Sequence, residues 1–503
     1  MFEDVPWRVR EGFFSESSSM SLEHLIIQLL NGLHWQSTHK PRGRDLVLGV
    51  TTTQRGRDVV ILPEGARPMH LGVMGLSGVG KTYFLESLIR QDIVHETGFA
   101  VFDVHGDLAD NIVACLAERV ARNPNLADRV VIVEPFDEHY SIGFNPLQRS
   151  PDTSPFLHAQ ELAHILRTRW ETRSFGPRTE ELLRNALYTL SAHDLTLLEL
   201  PHLLANRDFR AELLRNVHEQ GVQDYWKGRY ESMSEAMKAV IREPILTRIS
   251  AFLADPLIRE VVGQRKSTFS FQEAITRGLW VVINLSKGRL GENSAVLGSL
   301  LFTKLVLDVM AQARTPESDR KLFAVYADEL QNLAGSNFAT LIAEARKYRI
   351  SLTAGHQFWM QLSPEMRSAM LGVGSRVFFR LHYHDAKELA GELDPTERQW
   401  YTEILTRLPR GQAVFRTSTE RPISFTVRPH HKRKTSPVQI EELTARSRRR
   451  YATARDTIRQ DIDRRYQQQP RALVSRLLSR PPLSTPESDD DQNTETTYES
   501  SSD

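Results

Sequence analysis

The chain has 503 residues, of which 64 are Lys or Arg and 63 are Asp or Glu, so its formal net charge is +1. Hydrophobic residues make up 40% and charged residues 25%, which excludes a wholly disordered chain. The single cysteine, Cys115, excludes a scaffold held by internal disulfides and fits a reducing compartment. At about 150 residues per domain the length allows about three domains, and the near-zero net charge gives no global indication of nucleic-acid binding.

Residues 1–45 predict an N-terminal arm. Its helix, Ser21–Leu33, carries leucine and isoleucine at helical spacing and would need a partner surface in this chain or in another. The first residues lack the layout of a signal peptide. The longest apolar candidate, Leu297–Met310, is interrupted by Lys304 and Asp308, and is shorter than the roughly 18 residues of a membrane span. We therefore expect a cytoplasmic chain without direct membrane insertion.

From about Leu46 onward, short apolar runs bounded by Gly, Pro and Asp alternate with helix-like segments. This pattern is typical of βα units and predicts an α/β fold with a mainly parallel sheet. The predicted strands are Leu71–Met74, Phe99–Asp103, Arg129–Glu134, Leu279–Asn284, Leu322–Ala327, Ile350–Ala354 and Arg376–Leu381.

Residues 150–261 are charged and amphipathic and contain no strand-like run. The predicted helices there are Glu180–Leu190, Ala211–Gln220 and Glu231–Phe252. We interpret this stretch as an all-α insertion domain that splits the α/β domain into residues 46–149 and 262–430. The sheet is expected to resume near Phe269 and to end near Val427.

The C-terminal end carries charge of both signs. Within a basic helical segment, 431–483, residues 432–480 hold 14 basic and 5 acidic residues, a net of +9. Residues 484–503 hold 7 acidic and no basic residues and predict a disordered tail. The basic helix is either a solvated face or a surface for DNA or a partner.

The most specific motif lies between strand Leu71–Met74 and a predicted helix, Tyr83–Val94. It matches G-x-x-x-x-G-K-[ST], whose glycines let successive backbone N–H groups point at one anion. The lysine of this motif reaches the β- and γ-phosphates, and its hydroxyl ligates Mg²⁺. The sequence therefore predicts a site for ATP and Mg²⁺, formed by Gly75, Ser77, Gly78, Val79, Gly80, Lys81 and Thr82.

Two carboxylates, Asp328 and Glu329, follow the strand Leu322–Ala327. We expect Asp328 to belong to the Mg²⁺ shell and Glu329 to polarise the attacking water. Acids at strand ends are also common helix caps, so this prediction depends on a neighbouring phosphate loop.

Four further features have a functional and a structural interpretation. Gln357 follows the strand Ile350–Ala354, where its amide orients water or senses the γ-phosphate, or it is a surface glutamine. Arg346 either stabilises transition-state charge on the nucleotide of a neighbouring subunit or lies on a solvated helix face. His356 is interpreted as a packing or capping residue, and Asp103–Asp107 as a turn capped by aspartate rather than a metal site.

Seven segments in order resemble the HerA/FtsK-type ring ATPases, in particular the TraD/TraG-like coupling ATPases of conjugation and type IV secretion. The resemblance covers about residues 55–425. The matching segments are Val59–Thr82, Asp103–Asp107, Gly143–Leu147, Phe175–Arg178, Leu285–Gly288, Ala327–Glu329 and Glu344–Gln357.

The resemblance implies a RecA-like P-loop NTPase motor interrupted by an all-α domain, assembled as a homo-hexamer that moves DNA through its channel. Arg346 matches the family's Ala-Arg-Lys arginine, which acts on the neighbouring subunit, and Gln357 matches its His-Gln sensor. Val104 stands where the family often has proline. Membrane-anchored members of the family begin with transmembrane helices. Because no direct membrane insertion is expected here, a role at a secretion channel would need a partner that recruits the chain.

The function favoured at this point is an ATP-hydrolysing DNA translocase or coupling ATPase, with Lys81, Glu329, Gln357 and Arg346 as catalytic residues and DNA bound without sequence preference. Lys287 and Arg289 are either channel-loop residues or part of a solvated turn. The alternative is a nucleotide-switched adaptor that recruits a relaxase or effector without moving DNA. A small-molecule kinase or ATPase is disfavoured because the chain shows no motif for an acceptor. A relaxase, a nuclease or a secretion channel is the expected partner.

Overall fold

The computed structural model describes residues 40–53, 56–151, 153–170, 175–333, 335, 337–418, 421–430 and 435–467. The predicted helix Ser21–Leu33 and the acidic tail 484–503 lie outside these residues. Up to Arg459 the chain forms one compact unit, and the described residues 460–467, which are helical, belong to a second.

The α/β class is confirmed, with one large sheet in the first unit. The strands of the described residues are β1 (Leu46–Thr53), β2 (Gly56–Leu62), β3 (Leu71–Met74), β4 (Gly98–Asp103), β5 (Val130–Val133), β6 (Tyr140–Ile142), β7 (Trp280–Asn284), β8 (Phe323–Ala327), β9 (Ile350–His356), β10 (Ser375–Phe378), β11 (Gln412–Thr417), β12 (Ile423–Val427) and β13 (Ala452–Ala454). The seven predicted strands are confirmed to within three residues at either end.

Eleven of these strands form the sheet, in the order β2-β1-β12-β11-β10-β3-β9-β8-β4-β7-β5. All neighbours from β10 to β5 pair in parallel, as predicted. The strands from β2 to β11 add an antiparallel extension that the sequence analysis did not identify. Because these strands are parallel, the carboxyl ends of β3, β9 and β8 lie side by side at the same end of the sheet.

The α-helices are α1 (Lys81–Val94), α2 (Asp107–Arg122), α3 (Pro155–Trp170), α4 (Pro177–Ala192), α5 (Leu200–Ala205), α6 (Arg207–Leu214), α7 (Gln220–Asp224), α8 (Glu235–Ala254), α9 (Pro256–Val262), α10 (Phe271–Arg277), α11 (Lys287–Leu290), α12 (Asn293–Ala311), α13 (Asn337–Glu344), α14 (Pro364–Leu371), α15 (Tyr383–Leu393), α16 (Arg398–Arg407), α17 (Pro437–Tyr451) and α18 (Arg455–Gln467). The 3₁₀-helices are Glu64–Met69, Pro124–Arg129, Leu197–Glu199, Gln312–Arg314, Glu317–Asp319, Leu330–Asn332, Ala345–Tyr348 and Trp359–Gln361, and Tyr225–Tyr230 is a π-helix.

Helices α3 to α9 lie between β6 and β7, where the insertion is expected. Two details of that prediction are wrong. The segment Ala211–Gln220 is not one helix, because α6 already begins after Asn206, whose side chain caps it, and ends at Leu214. The sheet does not resume near Phe269. The helix α10 forms there, capped by Ser270 and ended by a left-handed Gly278, and the next strand begins at Trp280.

Helices cover both faces of the parallel strands. Because successive strand residues point to opposite faces, β4 contributes to two cores. Phe99 joins the buried cluster that includes Leu108 of α2. Phe102, on the other face, packs against Phe271 and Phe302, with ring centroids 6.2 Å and 5.5 Å away. A sheet buried on both faces explains why its strands read as continuous apolar runs.

One helical stretch among the described residues, Asn293–Arg314, has the length and apolar composition of a membrane span. Within the fold, 78% of its most apolar window is buried. It packs as a core helix beside the sheet, so its composition is explained by burial.

Residues 435–459 form a C-terminal strap along the last strand of the sheet. Helix α17 packs against β5 and α2, and the N–H of Ile132 in β5 donates to Ser447 Oγ at 2.9 Å. Strand β13 then pairs antiparallel with β6. The strap therefore covers an edge that would otherwise expose unpaired backbone groups.

A buried ion pair anchors the strap to the end of the insertion. Arg455 is paired with Glu260 of α9, and the two side chains are 2% and 0% exposed. Arg455 Nε and Nη2 also donate to the carbonyls of Asp137 and Pro135, both at 2.6 Å, and Arg459 Nε donates to Glu260 at 2.6 Å. Part of the basic C-terminal charge is thus used inside the fold.

We expect Arg455→Ala to destabilise the protein by roughly 3 kcal/mol or more, since removing one partner of a buried ion pair leaves the other charge buried. Half-exposed Arg459 compensates only in part. The midpoint of urea unfolding measures the change. Arg449→Ala, an exposed arginine of the same strap, is the control and should change the stability by less than about 0.5 kcal/mol. Equal effects of the two substitutions would contradict the anchoring role of Arg455.

Candidate functional site

The loop Gly75–Thr82 connects β3 to α1, as predicted. Gly78 and Gly80 have φ values of +75° and +113°, a backbone conformation that residues with a side chain rarely adopt. Ser77 and Gly78 are exposed, whereas the side chain of Val79 is buried and holds the loop on the core. The loop thus presents backbone N–H groups to solvent at the N-terminus of a helix, an arrangement that binds anions.

Neighbouring segments fix the loop from three sides. The N–H of Gly75 donates to the carbonyl of His356 at 3.3 Å, and the N–H of Leu76 donates to that of Arg380 at 2.9 Å. The N–H of Gly411 donates to the Val79 carbonyl at 3.0 Å. These bonds hold the loop's backbone in place before any ligand binds.

Lys81 is buried, and its Nζ donates to the carbonyl of Leu76 at 3.1 Å. Burial lowers the pKa of its ammonium group, and the charges of Glu329 and Asp328 oppose this shift. The lysine therefore lies against the loop with two carboxylates near it.

The acidic pair reaches the loop through the Thr82 hydroxyl, which donates to Asp328 Oδ2 at 2.9 Å. Asp328 is 2% exposed. Burial, followed by the charge of Glu329, raises its pKa to about 6. A bound cation would favour the ionised form, and hydroxyl and carboxylate oxygens are donors that Mg²⁺ prefers. The residues present at this point fit a magnesium ion.

Glu329 occupies a left-handed conformation, with φ +57°, that is uncommon for a residue with a side chain. Its carboxylate accepts hydrogen bonds from the Nε2 atoms of Gln357 and Gln331, the latter at 2.6 Å. Two amides therefore orient the carboxylate.

A cavity of about 370 Å³ opens beside this carboxylate. Its lining includes Glu329, Gln357, His105, Lys287 and Gln361. The cavity leaves room next to Glu329 for a water molecule or part of a ligand.

The structure thus brings together Lys81, Thr82, Asp328, Glu329 and Gln357. Sequence analysis missed Gln331, because the direction of the 3₁₀-turn after Glu329 could not be read from the residue pattern. It also missed the close approach at Gly355, where a Cβ atom would lie 3.1 Å from Asp328 Oδ1.

The structure does not bring Arg346 to this site. Arg346 is exposed on the 3₁₀-helix that precedes β9, whereas the loop faces the carboxyl end of that strand. A seven-residue strand is about 20 Å long, so Arg346 lies at the opposite end of the strands, where β9 begins. Any contact with a nucleotide would have to be made in a neighbouring chain.

The capped-turn interpretation of Asp103–Asp107 is confirmed. Its first carboxylate accepts from the N–H groups of His105, Gly106 and Ala109, each at 2.9 Å. Within the described part of the chain no cluster of three potential metal ligands occurs. His356 is buried at the end of β9, and its interpretation as a packing or capping residue stays a prediction.

A sequence model of the type IV secretion-system coupling protein DNA-binding domain matches residues 58–388, more than half of the chain. The comparison with curated proteins finds no match.

Solved structures of similar fold include the plasmid coupling protein TrwB in complex with a non-hydrolysable ATP analogue, at TM-score 0.58 and 18% identity over 80% of this chain and 92% of that one. TrwB in complex with ADP and Mg²⁺ gives a TM-score of 0.56 at 18% identity, with the same coverage, 80% and 92%. VirB4 of Thermoanaerobacter pseudethanolicus gives 0.53 at 14% identity, over 79% and 100%. These similarities confirm the fold predicted for a RecA-like P-loop ATPase.

Proposed function

Because the chain belongs to the type IV secretion-system coupling protein DNA-binding domain family, we propose that it is an ATP-hydrolysing DNA translocase, a coupling ATPase. The observation that carries this proposal is the hydrogen bond between Thr82 and Asp328, 246 positions apart, which joins the phosphate loop to the acidic pair. This contact supports a shared role for Lys81, Thr82, Asp328 and Glu329, whereas Arg346 lies elsewhere.

The loop would bind ATP through the N–H groups of Ser77, Gly78, Val79 and Gly80 and the N-terminus of α1. Lys81 would leave the Leu76 carbonyl and place its charge on the β- and γ-phosphates. Because its ammonium group is buried in the loop, little solvent has to be displaced from it when the phosphates arrive.

Thr82 and Asp328 are the residues that would hold Mg²⁺. When bound, the ion offsets the negative charge of the phosphates during phosphoryl transfer.

Glu329 is the proposed general base. It would accept a proton from the water that attacks the γ-phosphorus, while the bond between that phosphorus and the bridging oxygen breaks to give ADP and inorganic phosphate. Gln357 holds the carboxylate in the free state. A γ-phosphate that drew the amide away would free Glu329 to act, which makes Gln357 the proposed sensor.

The proposed DNA contact is local and independent of sequence. The segments 432–480 and 484–503 carry +9 and −7, which leaves −1 for the rest of the chain, so DNA binding by the body would depend on where individual lysines and arginines lie. Lys287 and Arg289 are both exposed. However, Lys287 lines the cavity beside Glu329, and the guanidinium of Arg289 lies 5.7 Å from the ring of Phe136. Their role in a channel stays a prediction.

A homo-hexamer is part of the proposal, since Arg346 can serve only a nucleotide in a neighbouring chain. Cytoplasmic location and recruitment to a relaxase, nuclease or secretion channel are also proposed. We also propose the domain boundaries: the split motor comprises residues 46–149 and 262–430, and the insertion comprises residues 150–261.

We predict that DNA stimulates ATP hydrolysis. Two substitutions should lower the rate of hydrolysis, one by weakening nucleotide binding and the other by removing the general base. Lys81→Ala should weaken nucleotide binding and lower the rate at least about 100-fold, because it removes phosphate charge stabilisation. Glu329→Gln should keep nucleotide binding and lose about 10²–10⁴-fold in rate, because it removes the base. Phosphate release measures hydrolysis, and a fluorescent ATP analogue measures binding.

Lys227→Ala is the control for these substitutions, since this exposed lysine lies on the π-helix Tyr225–Tyr230, where its Nζ donates to Gln223 at 2.7 Å. Normal hydrolysis by Lys81→Ala would show that the site is assigned wrongly. Hydrolysis that DNA does not stimulate at low salt would contradict the motor and favour the adaptor.

For Arg346 we predict complementation between chains. Arg346→Ala should lower the rate about 10³-fold, as for other arginine fingers. Mixed rings of Arg346→Ala and Lys81→Ala chains should regain activity, because an intact loop can then face an intact Arg346. Absence of recovery in rings shown to contain both chains would exclude action on a neighbour.

A further inference from the structure

One helix of the proposed insertion ends beside the acidic pair. Helix α3 packs along α12, and Nη1 of Arg169, in its last turn, donates to the carbonyl of Gln331, 162 positions away, at 3.2 Å. The side-chain amide of Gln331 in turn donates to the Glu329 carboxylate at 2.6 Å. Two hydrogen bonds therefore connect the insertion to the proposed general base.

Helix α3 is anchored at both of its ends. In its first turn, Nε2 of His158 donates to the carbonyl of Pro146 at 2.8 Å. In its last turn, Trp170 is 6% exposed, and its ring centroid lies 6.2 Å from that of Phe175. The position of the helix therefore determines where the guanidinium of Arg169 lies.

The turn that carries Gln331 is held by few hydrogen bonds. In the 3₁₀-helix Leu330–Asn332, the N–H of Asn332 donates to the Glu329 carbonyl at 2.9 Å, and the carbonyl of Asn332 accepts from Ser299 Oγ of α12 at 3.4 Å. The bond from Arg169 is the shorter of these two contacts with neighbouring helices. Because a 3₁₀-turn has poorer hydrogen-bond geometry than an α-helix, its direction depends on such outside contacts.

The Gln331 amide has a second polar atom that faces a different task. An ionised carboxylate only accepts hydrogen bonds, so the amide presents Nε2 to Glu329 and leaves Oε1 for another partner. This Oε1 is buried and has no hydrogen bond partner among the described residues, and Gln331 lines the cavity beside Glu329. Oε1 can therefore accept from one hydrogen of a water molecule there while Glu329 accepts from the other.

We propose that Arg169 is a positioning residue for ATP hydrolysis, which acts through Gln331 to hold Glu329 and the attacking water. The proton passes from the water to Glu329, and the Gln331 amide stays neutral throughout. This inference rests on the proposed function and adds to it a contribution of the insertion to the chemical step. A movement of α3 would change the rate of hydrolysis and leave nucleotide binding as it is.

The test uses full-length variants, with phosphate release measured over a range of ATP concentrations and binding measured with a fluorescent ATP analogue. Arg169→Ala should lower kcat about tenfold and leave KM and the analogue affinity unchanged, because a small displacement of a reacting group slows chemistry without weakening binding. Gln331→Met keeps the length of the side chain without its hydrogen bonds and should lower kcat at least as much. The double variant should be no slower than Gln331→Met alone, since Arg169 acts through that amide.

Three further variants serve as controls. Arg169→Lys keeps the charge and a donor of similar reach, and it should restore most of the rate. Arg167→Ala is the matched control and should hydrolyse ATP like wild type, because this exposed arginine of the same helix pairs with Glu180 of α4 at 2.5 Å. If Arg169→Ala does not fold, Arg169→Gln replaces it with the same expected loss, since its side chain is too short to reach the Gln331 carbonyl.

A kcat for Arg169→Ala equal to that of wild type would overturn the proposal, and so would losses that multiply in the double variant. A loss of rate that comes with a raised KM and a lower midpoint of urea unfolding would show a structural role only, which also overturns it. The translocase function would stand in each of these cases. A wild-type chain that does not hydrolyse ATP would instead refute the proposed function.

Discussion

The parallel order of β3, β9 and β8 is the constraint on which the site depends. Each strand ends at the same edge, so the phosphate loop, Gln357 and the acidic pair meet although the chain separates them widely. Thr82 and Asp328 then close the arrangement with one hydrogen bond. The close approach also limits residue choice, because a Cβ atom at Gly75 would lie 2.6 Å from that of Phe379, and such contacts require glycine.

The same end of the strands also connects the nucleotide site to exposed residues. Phe358, whose ring is exposed, directly follows the proposed sensor Gln357, and the N–H of Leu76 in the phosphate loop donates to the carbonyl of Arg380. At the far end of the sheet the C-terminal strap ties β5 to the insertion through Arg455 and Glu260.

Much of the nucleotide site and of the parallel sheet could be predicted from local sequence. The phosphate loop and the acids after β8 are short patterns whose chemistry fixes their residue types, and buried parallel strands read as apolar runs. Contacts between distant segments could not be predicted, because nothing near Glu260 specifies Arg455 as its partner. The contact of Gln331 with Glu329 is local, but it depends on the direction of the 3₁₀-turn. The side of the sheet on which Arg346 lies also depends on topology. The helix expected over Ala211–Gln220 instead begins at Arg207, where Asn206 caps it, and ends at Leu214.

A structure of the protein with ADP, beryllium fluoride and Mg²⁺ tests the central claim most directly. We expect the phosphates on the loop Gly75–Thr82, the ion beside Thr82 and Asp328, and the Glu329 carboxylate facing the fluoride group. Nucleotide bound elsewhere, or an ion held without Thr82 and Asp328, would contradict it.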